Sequence, residues 1–137
     1  ADNEASSVQS ALRRLGYDIS IKRQTHWEMT IDGKKRQVLQ KINDTGELYN
    51  SNKELISTIQ RGKNTASFLV RQKEDMIGRS KFESLTRRFE INEISQLKRG
   101  VIWNVIVNSG NFETILNQVL DTYILFNPLS HECYRIN

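Results

Sequence analysis

The feature that most constrains this chain is that its second half repeats its first. Asp2, Ser7, Leu12 and Arg14 fall on Asp75, Ser80, Leu85 and Arg87 at a constant offset. After a small shift in the connection, Trp27, Met29 and Ile31 fall on Trp103, Val105 and Val107, with Lys22-Arg23 on Lys98-Arg99 in the same register. A further shift brings Leu39 onto Leu116 and Thr45 onto Thr122. The run Leu48-Tyr49-Asn50-Ser51 then lies on Leu125-Phe126-Asn127-Pro128, and Ile59 on Ile136. A shared helix-and-strand pattern alone would not place a tryptophan at the same point of both halves. A duplication redefines the fold, because each copy must be one small supersecondary unit. The chain therefore divides into repeat 1, residues 1–62, and repeat 2, residues 63–137, with the boundary at Gly62-Lys63-Asn64. Units of about 60–70 residues are marginal alone, so the two are expected to pack against each other or against a partner.

Local patterns give the content of each copy. Val8, Leu12 and Leu15 share a helical face over Asp2 to Gly16, and Gly16 stands where a helix C-terminal glycine is expected. Residues 19–31 alternate and predict two strands, with Trp27, Met29 and Ile31 on one side of the second. Asp32-Gly33 marks a turn, Val38, Leu39 and Ile42 the inner face of a second helix, and Leu55 to Ile59 a short strand. In the second half, Phe68-Leu69-Val70 begin a strand, Asp75 to Gly78 reads as a loop, and Phe82, Leu85 and Phe89 form a helical stripe. Ile91 and Ile94 start a strand that Gly100 breaks, and Trp103, Val105 and Val107 form another. A helix from Phe112 to Phe126 is ended by Asn127-Pro128, since proline cannot continue the ladder. Cys133 to Ile136 closes the unit as a last strand. The order strand, helix, strand, strand, helix, strand predicts an α+β chain. It reads as two tandem ferredoxin-like repeats with antiparallel sheets and helices packed on one face. Repeat 1 lacks its first strand, which leaves an open slot in its sheet.

Repeat 2 resembles the PurS family, the small subunits of phosphoribosylformylglycinamidine synthase. The resemblance is carried by Asp75-Met76-Ile77-Gly78 before the first helix and Leu85 within it. Ile91 to Gly100 is similar to the family's strand and basic-glycine turn, and Trp103-Asn104-Val105-Ile106-Val107 to its third strand. Ile124 to Pro128, followed by Glu132, Tyr134 and Ile136, is similar to its Asn-Pro ending. Repeat 1 resembles it more weakly, through Ser7 to Leu12, Leu15-Gly16-Tyr17 and Leu48-Tyr49-Asn50. Val101 stands where the family's turn has lysine, Gln24 replaces the glycine in repeat 1, and Met76 lies where a proline is usual. The resemblance implies a non-catalytic scaffold that bridges the synthase and glutaminase subunits of purine biosynthesis and assists ammonia transfer. A fused pair resembles a covalent version of the family's self-association, or equally the PurS-like region of a longer, fused synthase. It further implies partner contacts at Lys22, Arg23, Lys98, Arg99, Gly100, Asn127 and Pro128.

The residues themselves offer little chemistry. Cys133 with His131 or His26 lacks a third orienting group, and the same side chains are too few for a metal site. Arg61-Gly62-Lys63 lacks the first glycine and the spacing of a phosphate loop. No catalytic, cofactor-binding or metal residue is expected. Trp27 and Trp103 read as core, with a docking face as the sharper alternative. Lys22-Arg23 and Lys98-Arg99 read equally as exposed turns or as contacts to an acidic partner, and Asn127-Pro128 first as a helix stop. A single cysteine rules out an internal disulfide and points to a reducing compartment. With no membrane-length apolar run and no signal pattern at the N-terminus, a cytoplasmic protein is expected. The net charge of +4 and pI of 9.3 leave a nucleic-acid-binding ferredoxin-like module as a rival. It is disfavoured because paired aromatics on adjacent strands are missing. A small-ligand-sensing regulatory domain is the third reading.

Overall fold

The computed structural model of the protein describes residues 2–48 and 62–137, and within them the chain is α+β. Asp2 opens α1 (Asn3–Arg14) by accepting the Ala5 N–H at 3.0 Å, which satisfies a donor that the first helical turn cannot pair internally. β1 follows (Ile19–Ile31), then α2 (Lys35–Thr45), which ends at Gly46 with φ of 67°. That left-handed value costs glycine no steric strain. β2 (Thr65–Gln72) leads to α3 (Met76–Glu83), whose last turn relaxes into a π-helical turn at Ser84–Arg88. β3 (Ile94–Val107), α4 (Phe112–Asp121) and β4 (His131–Arg135) complete the order. The strands form one sheet in the order β1-β3-β2-β4. β2 runs antiparallel to both neighbours, with Phe68 opposite Trp103 on one side and Arg135 on the other.

Several expectations are corrected. Residues 19–31 are one strand of 13 residues rather than two. Residues 94–107 are likewise one strand of 14, running straight through Gly100, which is buried. Glycine permits a turn without demanding one, and the β-branched run that follows it favours extension. Lys22, Arg23, Lys98 and Arg99 therefore lie in strands, not in turns. Met76 to Gly78 belong to α3 rather than to a loop, because Asp75 caps that helix. The last helix stops at Asp121 rather than Phe126, since the Thr122 hydroxyl donates to the Val119 carbonyl at 2.6 Å and Tyr123 turns to φ of 56°. Leu15 is 59% exposed instead of facing inward. The strand expected at Leu55 to Ile59 lies outside the described residues.

Packing divides the chain into two units, each drawing on both halves of the sequence. Unit 1 comprises Ala1–Gln24, Thr58–Lys73 and Val101–Asn137. Its core sets Leu12 of α1 and Leu116 and Val119 of α4 against Ile19, Ile21, Phe68, Val70, Trp103 and Val105 of the sheet. Fully burying a side chain such as Phe68 contributes about 1.5–3 kcal/mol. On β2 and β3, Ser67 and Asn104 are also buried and satisfy each other through a 2.6 Å hydrogen bond. Unit 2 comprises Thr25–Ser57 and Glu74–Gly100. Its core gathers Val38, Ile42 and Leu48 with Leu85, Ile91, Ile94 and Leu97, and Trp27, Met29, Phe82 and Phe89 pack at its margin.

Asp75 is the joint of unit 2. One carboxylate oxygen accepts the Gly78 N–H at 2.9 Å, and the other accepts the Arg99 N–H of β3 at 2.9 Å. The residue thus caps α3 and ties it to a strand. Gly78 is required beneath it, because a Cβ there would sit 2.1 Å from Asp75 Oδ2. Asp75→Ala is expected to lower stability by about 1–3 kcal/mol, from the lost cap and an N–H left without its acceptor. Gly78→Ala should cost a similar amount, and the double variant clearly less than the sum, because both act on one contact. Urea denaturation of the four proteins measures this coupling directly, and strict additivity would contradict it.

Candidate functional site

The seven contacts implied by the family resemblance do not gather in one place. Lys22, Arg23, Asn127 and Pro128 belong to unit 1, and Lys98, Arg99 and Gly100 to unit 2. Arg23 is engaged internally: its guanidinium donates to Asp2 at 3.0 Å and to Glu4, and stands 5.8 Å from the centre of the Trp103 ring. Lys22 beside it is exposed. Asn127 organises the turn before β4, accepting the Leu129 N–H on its side chain at 3.0 Å while its own N–H donates to His131 Nδ1 at 2.8 Å. The Pro128 carbonyl accepts from Lys73 Nζ at 3.2 Å. Arg99 acts through its backbone on Asp75, and Gly100 is buried.

Lys98 is different, because it lines a groove of about 430 Å³ within unit 2. One wall is α3 with its π-helical turn, presenting Arg79, Phe82, Glu83, Thr86 and Arg87. Positions three, four, seven and eight apart fall on one helical face, so these side chains share an aspect by helix geometry. The other wall is the start of β3, with Ser95, Gln96, Leu97 and Lys98. Phe82 and Leu97 also belong to the packing of unit 2, which gives the groove an apolar floor. Its volume lies in the range of ligand-binding clefts.

The electrostatics are one-sided. Arg79, Arg87 and Lys98 face a single carboxylate lining the groove, Glu83, and among the described residues none of the three is ion-paired. Two other acids of unit 2 are already committed. Glu47 is held below the usual carboxylate range by a hydrogen bond from Ser84 and by the charges of Lys81 and Arg88. Glu93 is paired with Lys41 at 2.7 Å. A convergent set of cations over an apolar floor can hold an anionic partner with an apolar portion. Arg79 escaped the sequence reading and Arg87 entered it only as a repeat match and a scattered basic group, although their helical spacing around Phe82 was visible in the sequence. Lys98 was found through the resemblance.

Elsewhere the chemistry is weak. Cys133 is half-buried, and burial pushes its thiol up, away from the reactive thiolate. His131 Nδ1 is occupied by Asn127. Among the described residues no cluster of three or more metal-ligating side chains occurs, and no helix is long and apolar enough to cross a membrane. Trp103 is buried in the core of unit 1, whereas Trp27 is half-buried at the margin of unit 2, with an indole N–H that is shielded and has no hydrogen-bond acceptor. No protein-family model matches the chain, and no curated protein sequence matches it.

The Asp2–Arg23 contact generates a pH dependence. Burial raises the Asp2 carboxyl, but the Ala5 N–H and the Arg23 guanidinium outweigh it, leaving the group below its ordinary value. A carboxylate depressed in the folded state contributes stability that is complete above its unfolded pKa and is lost as pH falls through the folded one. The thermal midpoint should therefore drop on acidification below the ordinary aspartate range, and Asp2→Asn should flatten part of that drop. An unchanged acid profile in Asp2→Asn would show that the contact does not contribute.

Proposed function

We propose that the chain is a non-catalytic docking module made of two copies of one unit, and that it serves as a scaffold of the PurS kind. In that role it bridges the synthase and glutaminase components of phosphoribosylformylglycinamidine synthase in the cytoplasm and assists ammonia transfer between them. The observation that carries the docking role is the groove in which Lys98, one of the contacts implied by the resemblance, joins Arg79 and Arg87. Such a surface recognises acidic groups and orients them, which is what a scaffold requires. Holding two active sites together matters for ammonia, because the free molecule protonates and diffuses away in water.

The two-copy reading is supported by contacts that recur in the repeat register. Asp2 and Asp75 both cap a helix, and both reach the equivalent arginine position, Arg23 or Arg99. Thr45 and Thr122 both end a helix by donating to a carbonyl three residues back at 2.6 Å, while accepting the N–H two residues on. Leu12 and Leu85 are both fully buried. Unit 1 holds the first helix of repeat 1 and the second helix of repeat 2, α1 and α4, and unit 2 holds the complementary pair, α2 and α3. This is the composition expected when each copy opens its central turn into a straight strand and exchanges its second helix with its sibling, a form of domain swapping.

Reconstitution tests the assignment. The chain would be mixed with PurS-dependent synthase and glutaminase subunits, and glutamine-dependent and ammonia-dependent turnover followed separately. The expected result is that glutamine-dependent turnover requires the chain, that ammonia-dependent turnover does not, and that Lys98→Glu weakens the requirement about tenfold. A chain that neither joins the complex nor changes either rate would refute the scaffold role.

A further inference from the structure

The repeat register allows the groove of unit 2 to be compared with the same place in unit 1, and the two differ in one respect. In unit 1, Gln9 of α1 reaches the neighbouring strand, where its Oε1 accepts the Ile21 N–H at 2.9 Å, and Arg13 Nε donates to the Ile19 carbonyl at 2.9 Å. Two helix side chains thus plug this edge of β1. By the register, Gln9 corresponds to Phe82, Arg13 to Thr86, and Ile21 to Leu97. Phe82 has no acceptor to offer. Thr86 directs its hydroxyl to the Phe82 carbonyl of its own helix at 2.8 Å and carries no guanidinium.

Leu97 lies on the stretch of β3 that this difference affects. The Val107 N–H donates to Asn64 next to β2, and the Arg99 N–H donates to Asp75, whereas the Asn108 N–H donates to Asp18 next to β1. Before Val101, β3 has β1 on one side and, among the described residues, no paired strand on the other; the Glu93 carbonyl accepts the Asp32 N–H next to β1, so the alternation shifts phase between Glu93 and Arg99. The pairing of β2 with β3 ends at Val70 opposite Val101. Asp75 takes the N–H of Arg99 beyond that pairing, and Ser95 to Lys98 before it line the groove.

We infer that the groove of unit 2 takes an extended acidic segment of a partner protein, which adds to the edge of β3 beside α3. Strand addition at an exposed edge obtains affinity from main-chain hydrogen bonds and specificity from alternate side chains. The spacing of the charges favours an extended segment over a single anion. Eight positions separate Arg79 from Arg87, about 12 Å along a helix. In an extended segment, side chains four positions apart span about 13 Å, so acidic residues at that spacing can meet both arginines. Lys98 on the opposite wall neutralises acids between them, and Phe82 and Leu97 receive an apolar residue. This deepens the docking reading and rests on it.

The test uses the full chain and a fluorescein-labelled peptide of alternating glutamate and valine, read by fluorescence anisotropy. Binding is expected that weakens about tenfold or more in Arg79→Glu/Arg87→Glu. A peptide with lysine in place of glutamate should not bind, nor should an acidic peptide N-methylated at alternate residues to block strand pairing. Phe82→Gln is the decisive variant, because it restores the side chain that plugs the edge in unit 1. It should remain folded by circular dichroism and lose the peptide at least about tenfold. No binding of the acidic peptide overturns the proposal. So does equal binding of the lysine or N-methylated peptide, retained binding by Phe82→Gln, or ATP binding as tightly as the peptide. Because this assay needs no synthase or glutaminase, its failure is distinguishable from failure of the scaffold assignment, which reconstitution reads.

Discussion

The Asp75 carboxylate is the interaction on which unit 2 depends. A helix start needs an acceptor for its first N–H groups, and a strand that outruns its neighbour needs acceptors for its free edge. One side chain answers both demands, at Gly78 and at Arg99. In doing so it fixes the helix that forms one wall of the groove to the strand that forms the other. The arrangement also explains Gly78, since any larger residue would collide with the carboxylate. Unit 1 uses a related device, but there Asp2 reaches the Arg23 side chain rather than a strand N–H. The strand edge in unit 1 is served instead by Gln9 and Arg13. One unit thus has a strand edge met by helix side chains, and the other has a groove.

That difference arises from a few residues on one helix face. Where α1 presents Gln9 and Arg13, α3 presents Phe82 and Thr86, with Arg79 and Arg87 flanking them. Exchanging polar plugs for an aromatic ring removes acceptors and donors from the strand edge and leaves an apolar floor. Surrounding cations without ion-pair partners among the described residues then give the groove its sign. Surface cations already paired with carboxylates attract an anion only weakly, and the pairs Lys81–Glu47 and Lys41–Glu93 belong to that kind. Arg79, Arg87 and Lys98 do not.

The uninterrupted strand character of β1 and β3 is the other organising fact. Each strand contributes residues to both units. Because neither turns back at its centre, α4 falls in unit 1 with α1, and α2 in unit 2 with α3. A glycine at position 100 made a turn reasonable there, yet its neighbours Val101, Ile102 and Trp103 favour extended backbone and pair with β2. Pairing of several strand residues outweighs the conformational freedom of one glycine.

Periodicity and caps by themselves determined the α+β class, the place of most helices and strands, and the core residues Leu12, Phe68, Leu85, Trp103 and Leu116, because a local pattern selects which face is apolar. The chain also carries matched residues at a nearly constant offset, the pattern from which two copies are proposed. Tertiary structure decided the course of the two long strands. Whether Ile19–Ile31 and Ile94–Val107 bend or run on depends on which strand lies alongside, a non-local choice that no window of residues contains. The groove was hidden for the same reason. Arg79 and Arg87 are remote from Lys98 along the chain and converge only when Asp75 fixes α3 to β3. Lys22 and Arg23 look equivalent to Lys98 and Arg99 in sequence, but their surroundings are different: Arg23 is bound by Asp2 and Glu4, and Lys98 lines an open groove.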